Sequence, residues 1–468
     1  MSTRRVNSAI VDLLVQGQQQ VEGWEAHWPP FDLDPTLEVA PGVASTIIAE
    51  LGQRLHDNYP FFHPRYAGQM IKPPHPIALA AYAMAQRINP NAHALDGGPA
   101  TSYLEIEVIR QLAAMFGYEP ESSLGHLTSS GTIANLEALW ISRESDPGKA
   151  IAFSEAAHYT HRRMCGVLAV PSIEINVDER GRMNVDQLET ALRRGGIGTV
   201  VATAGTTSLG AVDPIHEIVA LAKNNGARVH VDAAYGGFFA MLAQNDGSPV
   251  SEPSNFSLEA FKAIADSDSV VVDPHKHGLQ PYGCGSVLFR DAIVGRFYQH
   301  ESPYTYFTSG DLHLGEISLE CSRAGATAAA LWATLQAFPL KAESGFGPIL
   351  QKTLLAARRM AALVNENDRL QLVVEPELDI VCFFPLPAGS ERRTSTISEL
   401  TTAVFADLMR DPLDPLYLAT LQVEPGLLRS HDLEWDTETL TTFRSVLMKP
   451  EHDEFIEALM RGVEKSLH

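Results

Sequence analysis

The stretch Val270-Val271-Val272-Asp273-Pro274-His275-Lys276 constrains this chain more than any other. Valines are stiff at χ1 and suit a pleated backbone. A β-branched run with no polar alternation is apolar on both faces, as an interior strand of a parallel sheet is. Further strand candidates are 150–153, 199–203, 228–232 and 285–289, and helical periodicity occurs at 103–116 and 132–143. Strands alternating with helices predict an α/β fold with a mostly parallel, doubly wound sheet. Ligands of such sheets bind beyond the carboxyl ends of the strands. Lys276 sits at such an end, an odd place for a lysine unless it does chemistry. A desolvated amine there is a nucleophile that can form a Schiff base with a carbonyl.

At 468 residues the chain exceeds what one small core organises. Residues 1–60, with the Pro-rich Trp28-Pro29-Pro30-Phe31, read as an extended arm, and 61–340 as a large domain. An alanine-rich helical run over 321–338 leads to a smaller α+β domain at 341–468. That domain has strand patterns near 370–385 and 441–447 and helical ones near 395–410 and 452–466. The 57 acidic and 35 basic residues give a net charge of −22, which argues against binding nucleic acid or an anionic membrane surface. Cys165, Cys284, Cys321 and Cys382 are dispersed, as in proteins of a reducing compartment. The start, Met1 to Ser8, leads into no apolar signal core, and no run reaches the roughly 18 apolar residues of a membrane span. A cytoplasmic location is the expectation.

Other candidates for chemistry fall at the same sheet edge. Thr128-Ser129-Ser130-Gly131-Thr132 opens a helical stretch whose free N–H groups and dipole suit a phosphate, although such residues are also common N-caps. Asp232 ends the strand at 228–232. A carboxylate there can hold a pyridine ring protonated and so make it an electron sink; it can equally cap a turn. Ala234 is small enough to lie under such a ring. His158 follows the strand at 150–153 and either stacks on the opposite face or is a partly exposed helix residue. His158 and His161 have a spacing that could hold a metal, but no matching ligand set accompanies them, so no metal is expected. Thr206 follows the strand at 199–203 and supplies a hydroxyl. His275 directly precedes Lys276, so it points away from the lysine and could reach a phosphate. A lysine that forms a Schiff base, a carboxylate for a ring nitrogen and a phosphate site together indicate pyridoxal 5'-phosphate.

The set, in this order, resembles the fold-type I pyridoxal-phosphate enzymes, specifically the amino-acid decarboxylases. The residues carrying the resemblance are His63-Pro64-Arg65-Tyr66, Ser129 to Asn135, His158, Gly205-Thr206-Thr207, His230 to Tyr235 and Asp273 to Lys276. It implies a large domain with a mostly parallel seven-stranded sheet flanked by helices, a small C-terminal domain and an N-terminal arm. It implies a homodimer with its sites at the interface. Lys276 would bear the cofactor as an aldimine, and Asp232 would face the pyridine nitrogen. His158 and Ala234 would sandwich the ring. Ser130, Gly131, Thr132 and His275 would hold phosphate, with Thr206 near the ring. Arg323 and Tyr66 would bind substrate. Loss of CO₂ would give a quinonoid, reprotonated by Tyr304, Tyr306 or His313. The expected reaction is decarboxylation of an L-amino acid, with a lean to an aromatic or bulky apolar substrate. The alternatives are an acidic amino acid, a carbon–carbon lyase or an aldehyde synthase on the same fold.

Overall fold

A computed structural model describes residues 6–244, 256–299, 318–389 and 392–467. Its centre is a seven-stranded sheet in the order β1-β7-β6-β5-β4-β2-β3. The strands are β1 (Leu124–Thr128), β2 (Ala150–Ser154), β3 (Ser172–Ile175), β4 (Ile197–Thr203), β5 (Arg228–Asp232), β6 (Ser269–Val272) and β7 (Gly285–Phe289). From β6 across to β3 all neighbours are parallel, while β7 pairs antiparallel with both β6 and β1. Strands β2, β4, β6 and β7 are buried at every residue, as their unbroken apolar runs require.

Three strands depart from that pattern, β5 through Arg228, half-buried at its start, and the buried His230 and Asp232. Strand β1 contains Gly125 and His126 in place of an apolar run; His126 is buried because its Nε2 lies 2.7 Å from the Glu137 carboxylate. Strand β3 is a short edge strand with two of its four residues exposed. The predicted helices lie at Pro99–Met115 and Gly131–Ser145. The helical run expected from 321 begins only at Ala326. Cys321 sits at φ +58°, a left-handed conformation that no right-handed helix contains.

A second, antiparallel sheet has the order β10-β11-β9-β8, comprising β8 (Leu370–Leu372), β9 (Ile380–Pro385), β10 (Ala419–Val423) and β11 (Leu440–Val446). Helices Phe346–Asn365, Thr394–Arg410 and His452–Ser466 cover it, around a core that includes Met360, Phe383, Phe443 and Ile456. The first of these helices is an addition to the sequence reading. The two sheets are tied together by Tyr235, whose hydroxyl donates to Asp379 at 2.5 Å, and by Arg444 of β11, whose Nε donates to the Ser208 carbonyl at 3.1 Å.

The N-terminal helix Val6–Glu25 packs on helix Pro76–Ile88, where Arg87 bridges Glu22 and Glu25. Helix Pro41–Leu55 buries none of its residues. No helix among the described residues is long and apolar enough to cross a membrane.

Candidate active site

The carboxyl ends of β2, β4, β5 and β6 and the start of helix Gly131–Ser145 converge on a cavity of about 320 Å³. Ser129, Ser130, Gly131 and Thr132 line one end of it. Ser130 caps the helix through its hydroxyl, which accepts from the Ile133 N–H, and the first-turn N–H groups of Gly131 and Thr132 have no intrahelical acceptor. A Cβ built on Gly131 would lie 2.5 Å from the Asp273 carboxylate, so only glycine lets the helix start approach β6 this closely.

Lys276 leaves β6 through the turn Asp273-Pro274-His275. Its Nζ lies 3.1 Å from Asp273 Oδ2, and its side chain is 19% exposed. Asp273 Oδ1 is buried with no hydrogen-bond partner among the described residues. His275 turns the other way, its Nδ1 donating to the Cys284 carbonyl at 2.7 Å, and stacks against Tyr282.

Asp232 faces the same cavity from the end of β5. Its Oδ1 accepts the Ala234 N–H at 3.1 Å and its Oδ2 lies 2.7 Å from His161 Nε2. A carboxylate only accepts, so the imidazole donates. Burial alone would raise the Asp232 pKa. The hydrogen bond and charge of His161, with Lys276 beyond, outweigh burial and hold the carboxyl well below its usual range. His158 walls the cavity one turn earlier, its Nδ1 2.7 Å from the Thr160 hydroxyl. Burial lowers its pKa, against the raising pull of Asp232.

Behind this front lies a polar chain. Asn135 donates to the Gly131 carbonyl at 2.9 Å and accepts from His230 Nε2 at 2.9 Å, and His230 Nδ1 meets the Ser269 hydroxyl. Burial pushes the His230 pKa down to about 3, so this imidazole is neutral and tautomerically fixed. The chain fastens the helix start to β5 and β6.

The structure thus brings Ser130, Gly131, Thr132, His158, Asp232, Ala234, His275 and Lys276 around one cavity. Thr206 is placed differently. It is fully buried, and its hydroxyl accepts from the Leu209 and Ala211 N–H groups; Thr207 reaches the cavity in its stead. Tyr66 packs among Tyr59, Phe61 and Tyr417 on the small-domain side and does not line the cavity. Arg323 borders a neighbouring cavity of about 240 Å³, where it is paired with Glu105 at 2.7 Å and donates to the Leu127 carbonyl. Tyr304, Tyr306 and His313 lie outside the described residues. Sequence reasoning missed Asp273 as the partner of Lys276, His161 as the partner of Asp232, and the rim residues Tyr159 and Tyr282. His161 was detectable as the residue one helical turn beyond His158.

The pyridoxal-dependent decarboxylase conserved domain matches residues 44–385. The chain is 31% identical over 372 residues to a probable L-tyrosine/L-aspartate decarboxylase of Methanothermobacter thermautotrophicus, covering 79% of this chain and 96% of that protein. It is 29% identical over 447 residues to an L-tyrosine decarboxylase of Enterococcus faecium, covering 74% of this chain and 72% of that one. The fold matches that of mouse CSAD in its apo form, with a TM-score of 0.76 at 20% identity, over 98% of this chain and 97% of that one.

Proposed function

The chain belongs to the pyridoxal-phosphate-dependent amino-acid decarboxylases, and from that premise we propose that its substrate is an aromatic L-amino acid and that Lys276, Asp232 and His158 carry the reaction. When bound, pyridoxal phosphate supplies a conjugated ring that accepts the electron pair left by departing CO₂. The cavity fits it: a glycine-walled helix start with free N–H groups, an ionised carboxylate, a stacking imidazole and a lysine share one space. The N–H groups of Gly131 and Thr132, with the Ser130 side chain and His275, would take the phosphate. Asp232 holds a negative charge where the ring nitrogen needs one. Ala234 and His158 would fix the ring between two faces. Asp273 keeps the Lys276 amine directed into the cavity through their 3.1 Å contact.

One observation carries the substrate reading. Among the described residues lining the cavity, Lys276 is the sole lysine or arginine, and the rim is formed by the exposed rings of Tyr159 and Tyr282. An acidic side chain would need an unpaired cation. Arg65 is paired with Asp414, and Arg323 with Glu105. The relatives named above act on tyrosine by name, one of them also on aspartate.

The test is mass spectrometry of the products formed by the holoenzyme from L-tyrosine, L-tryptophan, L-aspartate, L-glutamate and L-2,4-diaminobutyrate. The expected product is the aromatic amine, one CO₂ lighter than its parent. Its kcat/KM should exceed that of aspartate by at least about tenfold, or ~1.4 kcal/mol of transition-state binding. Faster release of β-alanine from aspartate would overturn the substrate reading, and an aldehyde with ammonia and peroxide would overturn the reaction.

We also propose a homodimer and a cytoplasmic setting. In helix Pro41–Leu55 the apolar residues Val43, Ile47, Ile48, Leu51 and Leu55 are each between 48% and 67% exposed. An apolar stripe of that length requires cover, and a second copy would supply it. Light scattering should give twice the chain mass. The double variant I47D/L51D should run as a monomer, whereas a monomeric parent chain would refute the dimer. The four cysteines are free thiols, which supports a reducing compartment.

A further inference from the structure

Nothing in the reaction requires a second histidine beside Asp232, yet His161 is completely buried against it at 2.7 Å. Both histidines of this segment come from one short piece of backbone. His158 precedes helix Thr160–Val167 and walls the cavity, and the His161 N–H donates back to the His158 carbonyl. His161 does not line the cavity. Its ring is held between Phe153, 6.1 Å away and tilted by 35°, and His230, 6.4 Å away and tilted by 64°. Its other nitrogen, Nδ1, is buried with no hydrogen-bond partner among the described residues. Among the described residues the bond to Asp232 is therefore the one polar contact that fixes the ring, and turning the ring over would exchange it for nothing.

The carboxylate's own needs point the same way. Each oxygen of an ionised carboxylate can accept about two hydrogen bonds. Oδ1 takes the backbone N–H of Ala234, which the fold supplies whatever the side chains are. Oδ2 takes the His161 N–H and keeps lone-pair capacity towards the cavity. A buried carboxylate lacking such a donor shifts towards its protonated form, because desolvation disfavours the charge. Protonated, it no longer favours a positive charge on a ring nitrogen.

We infer that His161 is a positioning residue that keeps Asp232 ionised and aimed, so that the protonation state of the cofactor's ring nitrogen is set by a side chain that touches neither cofactor nor substrate. This rests on the assignment of Asp232 to the ring nitrogen.

The experiment reads the nitrogen directly, by ¹⁵N NMR of holoenzyme loaded with pyridoxal phosphate labelled at the ring nitrogen, alongside the cofactor dissociation constant. Three substitutions separate the roles. H161F keeps the ring-sized volume next to Phe153 and removes the donor. H161N keeps polarity but is too short to place an N–H at the Nε2 position. H161Q can place one there. In the parent protein the nitrogen should be protonated. In H161F and H161N the signal should move towards the unprotonated position and the dissociation constant should rise about 10–100-fold, the size typical of losing a supporting hydrogen bond behind a cofactor-contacting ligand. In H161Q both should stay near the parent values. H161N carries the comparison with H161Q if H161F does not fold. Parent-like nitrogen signal and affinity in H161F or H161N would overturn the inference, as would an H161Q that behaves like H161N. Failure of the parent protein to attach pyridoxal phosphate at Lys276 would overturn the assignment of the site itself, before any substitution is made.

Discussion

Lys276→Ala is expected to lower kcat by at least about 10⁴-fold, the scale on which removal of a covalent catalytic group acts. Two other lysines make this a real choice. Lys72 and Lys449 are both buried, and desolvation brings their pKa values down to about 8 and about 7, which chemically favours a reactive amine. Geometry decides against them. Lys72 Nζ donates to the Met448 carbonyl and Lys449 Nζ to the Tyr66 carbonyl, and neither lysine lines the cavity that holds Asp232. Lys276 does, with its amine turned to Asp273 and partly open to solvent. Borohydride reduction of the cofactor-loaded protein should therefore fix a single label on the peptide containing Lys276. K276A should give no label while still taking up cofactor more weakly through the phosphate end. A label on the peptide of Lys72 or Lys449, or more than about 1% residual activity in K276A, would sink the assignment.

What could be read from the chain alone follows a physical line. Strand β6 was legible because burial on both faces leaves three valines in a row. Strand β1 was not, because His126 is made tolerable inside the core by Glu137, a partner one helix away. Lys276 was legible because it comes in the turn directly after an apolar run, and Asp232 because it sits at the carboxyl end of a strand, where ligands of such sheets bind. Their partners were harder to see. His161 lies 71 positions from Asp232 and Glu105 lies 218 from Arg323, and only the fold brings them together. The exchange of Thr206 for Thr207 has a local cause: Gly205 adopts φ +98°, which ends the strand's alternation before the two hydroxyls. The identity of the substrate was obscured for a similar reason. Arg65 and Tyr66 look like recognition residues in sequence, yet they pair and pack with Asp414 and Tyr417.

Asp232→Asn should leave cofactor attachment to Lys276 intact and lower kcat about 10³-fold, equivalent to ~4 kcal/mol of transition-state stabilisation. The amide has nearly the shape of the carboxylate but only one acceptor oxygen, so it can keep the Ala234 N–H bond and must turn its NH₂ towards His161, whose Nε2 then has to accept. What it loses is the charge, and with it the reason for a ring nitrogen to stay protonated when Cα becomes electron-rich. The substitution also has a consequence without cofactor. Because His161 and Lys276 hold the folded pKa of Asp232 below its unfolded value, the pair stabilises the apoprotein above the ordinary carboxylate range. That stabilisation is present at neutral pH and is lost as pH falls through the folded pKa. D232N should remove it, so that apo unfolding curves of variant and parent differ at pH 7 and converge in strong acid. Activity in D232N within tenfold of the parent would show that charge at the ring nitrogen does not control the rate. Parallel pH–stability curves would show that the buried pair adds nothing to folding, and the two measurements together separate the catalytic from the structural part of what Asp232 does.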